Sequence, residues 1–199
     1  MNNPGDRADR TKLPPPDAAA LHDAAMDYLA RYAATEAGLY RVLERRIERW
    51  ARGAEAGDRD LVAAQTATAK FAAREVVARL VAAGAVSDAA FAESRARSLV
   101  RAGRSQRAVA ANLAAKGVST DTLRRVLPEH DAETELAAAL VLARRRRIGP
   151  FRTGAHPDAA GQRRELAMFA RAGFAQSVAR RALDTPPDEA EALVHELRR

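Results

Sequence analysis

Apolar residues along this chain recur every three or four positions, and the runs are broken by glycine, proline or small polar residues. That spacing puts the apolar side chains on one face of a helix. Leu21, Ala25, Tyr28, Leu29 and Tyr32 predict a helix within 18–33. Leu39, Val42, Leu43, Ile47 and Trp50 predict a second over 36–52, followed by a loop from Gly53 to Asp58. An alanine-rich helix runs from Asp60 to Ala83, and Gly84 ends it. Ser87-Asp88 caps the next, which carries Phe91 and Leu99 and stops at Gly103. Ser105 opens a helix with Val109 and Leu113 that ends at Gly117, and Ser119 or Asp121 starts a short one that stops near Pro128. Asp131 begins a helix through Leu136 and Leu140 to the arginine run 144–147, closed by Gly149-Pro150. Beyond a loop rich in Gly, His and Pro, helices are predicted over 160–172, over 176–184 and from Asp188-Glu189 to Leu197.

The chain repeats itself. The stretch LAAKGVSTDTLRRVL (113–127) aligns without gaps to FARAGFAQSVARRAL (169–183). Gly117 matches Gly173, Val118 matches Phe174, and Arg124-Arg125 matches Arg180-Arg181. The shared content is a helix, a tight glycine turn and a short helix, with the apolar residue after glycine inserted between the two. A longer helix precedes each copy, so the unit is three helices. The expected fold class is therefore all-α: three tandem three-helix repeats in an elongated, curved array. The repeats are expected at 18–83, with an insertion at 53–70, at 84–128 and at 129–184. A disordered tail over 1–17 and an extra C-terminal helix over 185–199 complete the division.

Composition agrees with helix. Alanine, leucine and arginine dominate, and strand-forming residues are sparse. The net charge is +7, and only three of the 33 basic residues are lysines. A GC-rich genome accounts for part of the arginine excess but not for the sign of the charge. A cationic, arginine-rich protein suits polyanions or acidic protein surfaces. The absence of cysteine excludes disulfides, thiolate metal sites and a cysteine nucleophile. No apolar run approaches the roughly 18 residues of a membrane span, and residues 1–17 lack the apolar core of a signal peptide. A monomeric cytoplasmic protein without membrane contact is expected.

Candidate chemistry is confined to arginines. His22, His130, His156 and His195 are isolated, without partners at ligand spacing, and no glycine-rich phosphate loop follows a strand. Ser87, Ser105 and Ser119 occupy cap positions. No enzyme, cofactor or metal site is expected. Arg41, Arg45, Arg49 and Arg52 form a stripe beside Glu44 and Glu48, which reads as an ion-paired face or as a contact. Arg97, Arg101 and Arg104 align without intervening acids and form the better binding candidate, with Arg107 following. Arg144, Arg145, Arg146 and Arg147 wrap around a helix end, where the helix dipole favours cations. Arg124, Arg125, Arg180 and Arg181 recur at equivalent places and suggest a repeated contact. Trp50, Tyr28, Tyr32 and Tyr40 form either core or a base-stacking platform.

The stretch 84–127 resembles the central repeat of the RecX family. The family pattern of a Gly-x-apolar-Asp-Asp segment, a Gly-x-Ser turn and a Leu-x-x-Lys-Gly segment is met by Gly84, Asp88, Phe91-Ala92, Gly103-Arg104-Ser105 and Leu113 to Val118. Gly173-Phe174 resembles the family's Arg-Gly-Phe ending, with Ala172 in place of the arginine, and Ser87 stands where an acidic residue often lies. Tyr28-Leu29, Arg31-Tyr32, Thr35 and Leu39 to Ile47 resemble the alphaproteobacterial first repeat. The resemblance spans roughly 25–184, on packing and turn signals. It implies a modulator that binds RecA protein and the RecA–single-strand DNA filament, blocks extension or promotes disassembly, and lowers recombinase, ATPase and SOS co-protease activity. Direct DNA binding would be weak and secondary. From the residues alone, a helix-turn-helix-like module acting on DNA directly remains the alternative.

Overall fold

The computed structural model describes residues 14–54, 59–127 and 132–199. They are all-helical: α1 (Ala18–Leu29), α2 (Glu36–Ala54), α3 (Arg59–Ala82), α4 (Asp88–Arg101), α5 (Gln106–Ala115), α6 (Thr120–Val126), α7 (Ala132–Arg146), α8 (Ala159–Arg171), α9 (Gln176–Asp184) and α10 (Pro187–Glu196), with a 3-10 turn at Gly149–Phe151. The predicted helix start at Asp131, the stop at Pro128 and most of the predicted tail lie outside the described residues. The chain divides into two compact units, residues 1–91 and 92–199.

In the first unit α2 and α3 pack along each other, and α1 lies against both. Leu21, Leu39, Leu43, Ile47, Val76 and Leu80 form the core, with Ala69 and Ala73 on the buried face of α3. The segment expected as an insertion is largely helix, because α3 begins at Arg59 and runs 24 residues. Its alanines give it high helix propensity, and their small side chains bring α3 close to its neighbours.

In the second unit α7 is the centre. Every residue from Leu136 to Ala143 is buried, as a helix apolar all round must be. Phe169, Phe174, Ala179, Ala182, Ala190 and Val194 complete this core, and the rings of Phe169 and Phe174 meet edge-on at 5.9 Å. The two glycine turns have the same geometry. Gly117 and Gly173 both take positive φ, and the N–H of Val118 bonds Leu113 O as that of Phe174 bonds Phe169 O. These are the paired bonds that close a helix C-terminus through a left-handed residue.

A second device also occurs twice, each time within one unit. A helix leaves its first N–H groups without intrahelical partners. Buried Thr35 accepts from Gly38 N at 2.9 Å at the start of α2, and Asp88 from the start of α4 accepts from Glu36 N at 2.7 Å. In the second unit Ser105 accepts from Ala108 N at 3.2 Å, and Glu135 from the first turn of α7 accepts from Gln106 N at 2.9 Å. A hydroxyl residue and an acid two helices further along thus close the same two positions of α2 and α5. Ser105 goes further, donating to Ala172 O at 2.8 Å while fully buried. Glycine makes that approach feasible: a Cβ on Gly173 would lie 2.6 Å from Ser105 Oγ, and one on Gly103 2.9 Å from Val141 Cγ1.

Burial raises the pKa of Glu135 above its ordinary value, against the opposing bond from Gln106 N–H. The folded protein therefore holds the Glu135 proton more tightly than the unfolded chain does. Its ionisation weakens the fold as pH rises from the ordinary glutamate range through the raised folded value. Glu135→Gln keeps an acceptor for Gln106 N–H and removes the charge. Its stability relative to the parent, measured by urea unfolding, is predicted to improve steadily as pH rises through that window. A constant difference, or one that shrinks with pH, would contradict the assignment.

Candidate functional site

The arginines singled out from the sequence are almost all exposed, but they do not form one face. Arg97 and Arg101 lie one turn apart on α4, with exposed side chains. The helix ends at Arg101, and Gly103 reverses the chain with φ +76°, so Arg104 leaves the stripe that the spacing predicted. Arg104 and Arg107 instead flank the buried Ser105. No described carboxylate pairs with Arg97, Arg101, Arg104 or Arg107.

The other predicted groups separate further. Arg124 reaches Asp121 at 3.4 Å, and Arg125 donates to Thr122 Oγ1 at 3.3 Å, both on α6. An ion pair this exposed adds little stability and leaves Arg124 available. On α9, Arg180 and Arg181 are both exposed, and Arg180 borders a groove of 810 Å³ that also contains Arg152 and Glu165. Within the run 144–147, Arg144 bonds Glu191 at 3.5 Å, and Arg145 and Arg146 stay exposed on the last turn of α7. Arg147 is not helical. It takes φ 55°, donates to Arg144 O at 3.2 Å and lets Ile148 N reach Ala143 O at 3.1 Å. The sequence assigned this stop to Gly149-Pro150, but the helix closes two residues earlier, on an arginine in the position glycine usually takes.

Two features escape a reading of the sequence. Arg152 and Glu165 form an ion pair at 2.6 Å with both side chains largely buried. They stand across a Gly/Pro-rich loop, so no helical register links them. On α2, Glu44 and Glu48 turn away from the arginine stripe to Lys70 of α3, at 2.9 and 3.5 Å. The bond from Glu44, chiefly, holds the Lys70 ammonium above its ordinary pKa. The acids expected to neutralise the stripe are therefore engaged elsewhere. Of the aromatics, Tyr28 and Tyr40 pack against the core and Arg74 covers the Tyr40 ring at 5.5 Å, but Tyr32 is 57% exposed. No helix among the described residues is long and apolar enough to cross a membrane.

Comparison with known proteins places these surfaces in a family context. Residues 87–127, which hold α4, α5 and α6, match the model of the RecX second three-helix domain. A Myxococcus xanthus (strain DK1622) protein named Regulatory protein RecX is 38% identical over 170 residues, covering 84% of this chain and 86% of that protein. Proteins of the same name from Agrobacterium fabrum (strain C58) and Mycobacterium avium (strain 104) are 36% and 41% identical. They cover 55% and 52% of this chain, and 58% and 60% of their own lengths.

Arg147 lies beyond the matched domain, and its backbone gives it a structural cost that is separable from binding. A non-glycine residue in the left-handed region is disfavoured by about 1 kcal/mol. Arg147→Gly is predicted to stabilise the fold by about 0.5–1 kcal/mol in thermal or urea unfolding. A loss of stability would mean that the guanidinium makes a contact worth more than the strain.

Proposed function

The chain belongs to the RecX family of regulatory proteins, and from that premise we propose that it binds a RecA-type recombinase on single-stranded DNA and restrains the filament. Binding would block extension of the filament and lower its strand-exchange, ATPase and SOS co-protease activities. The protein acts as a monomer in the cytoplasm, through surface contact and without cofactor chemistry.

The observation that carries this reading is the set of unpaired arginines inside the matched domain. Arg97, Arg101, Arg104 and Arg107 present guanidinium groups with no described carboxylate beside them. A planar fork of donors suits the carboxylates of an acidic protein surface and the phosphates of DNA alike. Buried Ser105 anchors the turn between them, so Arg104 and Arg107 project from a fixed backbone. A filament groove lined by protein acids and bound strand offers both partners at once.

The helix pairs α5–α6 and α8–α9, each joined by a glycine turn, also suit a module acting on DNA alone. A RecA ATPase assay on single-stranded DNA separates the two. Substoichiometric amounts of the protein are predicted to inhibit hydrolysis, and Arg97→Ala/Arg101→Ala/Arg104→Ala is predicted to weaken inhibition while leaving the helical circular-dichroism signal intact. Steeply salt-dependent binding to duplex with no effect on the recombinase would overturn the reading.

A further inference from the structure

The first unit carries a groove that the arginines discussed above do not use. It lies between α1 and α2, has a volume of 390 Å³, and is bordered by Arg31, Arg45, Arg46 and Arg49 with Asp27 as its one carboxylate. All four arginines are exposed. The arrangement follows from local geometry. Arg45 and Arg46 lie four and three residues before Arg49 on α2, so each is its neighbour on the helix surface. Arg31 comes from the end of α1, where its Nε donates to Asp27 O at 3.3 Å. The acids that could have neutralised this face, Glu44 and Glu48, are held by Lys70 on α3. No described carboxylate pairs with Arg45, Arg46 or Arg49.

Between the charges sits an aromatic step. Tyr28 and Tyr32 line the groove, their ring centroids 5.2 Å apart and tilted by 39°. Tyr28 is packed against the core, and Tyr32 stacks beside it with 57% of its surface open to solvent. A ring this exposed adds little to the fold. Flanked by unpaired guanidinium groups, it has the chemistry of a surface that accepts a flat base and its phosphates together.

We propose that the α1–α2 groove of the first unit binds single-stranded nucleic acid, with a base stacked on Tyr32 and the backbone phosphates on Arg31, Arg45, Arg46 and Arg49. An acidic peptide would use the arginines but has no need of the exposed ring. Duplex DNA keeps its bases inside the stack, so Tyr32 could not reach a base face. The proposal gives the direct strand binding that the family resemblance implies a site of its own in the first unit, and it stands without filament regulation, because the contact forms on a naked strand with no recombinase present.

The test is fluorescence anisotropy of a labelled oligothymidylate titrated with the full chain over a series of salt concentrations. Oligouridylate in parallel distinguishes DNA from RNA as the bound strand. Tyr32→Ala should weaken binding by about fivefold or more, and Tyr32→Phe, which keeps the ring, should bind within about twofold of the parent. Arg45→Ala/Arg49→Ala should reduce the steepness of the log affinity against log salt plot by about 1.4. Circular dichroism of each variant should be unchanged, since all three side chains are exposed. Four results would each overturn the proposal: no binding of either strand at low salt, equal affinity for duplex, equal affinity of Tyr32→Ala, or preferential capture of an oligoglutamate competitor.

Discussion

The N-terminus of a helix presents N–H groups that its own backbone cannot satisfy, and burying them unpaired is costly. In this chain the starts of α2 and α5 each hold a buried hydroxyl residue, and in both the missing acceptors come from side chains. Thr35 and Asp88 close α2, and Ser105 and Glu135 close α5. The acid comes each time from the first helix of the following set. Within the second unit, the hydrogen bonds that finish α5 therefore also tie the first turn of α7 to it. At Ser105 the constraint is tighter, since its hydroxyl both accepts from Ala108 N–H and donates to Ala172 O. Arg104 and Arg107 stand on either side of this anchored residue, so the polar joint also sets where their charges project.

Alanine shapes the rest. A buried helix such as α7, with Ala137, Ala138, Ala139 and Ala143 among its core residues, lets neighbouring backbones approach closely. Gly103 lies against Val141 and Ala138 for this reason. Small side chains bury little apolar area each, so correct hydrogen bonding at the joints matters more than in a leucine-rich core. The charge is left outside. Arginines stay exposed on α2, α4, α6 and α9, while the buried polar residues Thr35 and Ser105 serve caps and Glu165 an ion pair.

What could be read from the sequence is what local chemistry decides. Helices with apolar faces, the glycine turns at Gly117 and Gly173 and the capping role of Ser105 all depend on residues within one or two turns, and the structure agrees with each. The family resemblance rested on those same signals, and the relatives bear it out. The departures are long-range or backbone effects. The pairing of Lys70 with Glu44 and Glu48 needs α3 beside α2, so acids that helical spacing set beside Arg45 and Arg49 are drawn to a lysine instead. The Arg152–Glu165 pair crosses an irregular loop with no periodicity to reveal it. Arg147 in a glycine conformation reflects how α7 is closed, which its side chain does not announce. Arg104 left its stripe because a turn at Gly103 outranks helical spacing.

Ser105 fills two hydrogen-bond roles at once in the second unit, closing the start of α5 and tying it to the end of α8. Ser105→Ala tests it most directly, because alanine fits the space and removes only the oxygen. Urea unfolding should show a loss of about 1–3 kcal/mol, the cost of leaving Ala108 N–H and Ala172 O unpaired in a buried joint. A change below about 0.5 kcal/mol, the range of ordinary surface substitutions, would contradict the account.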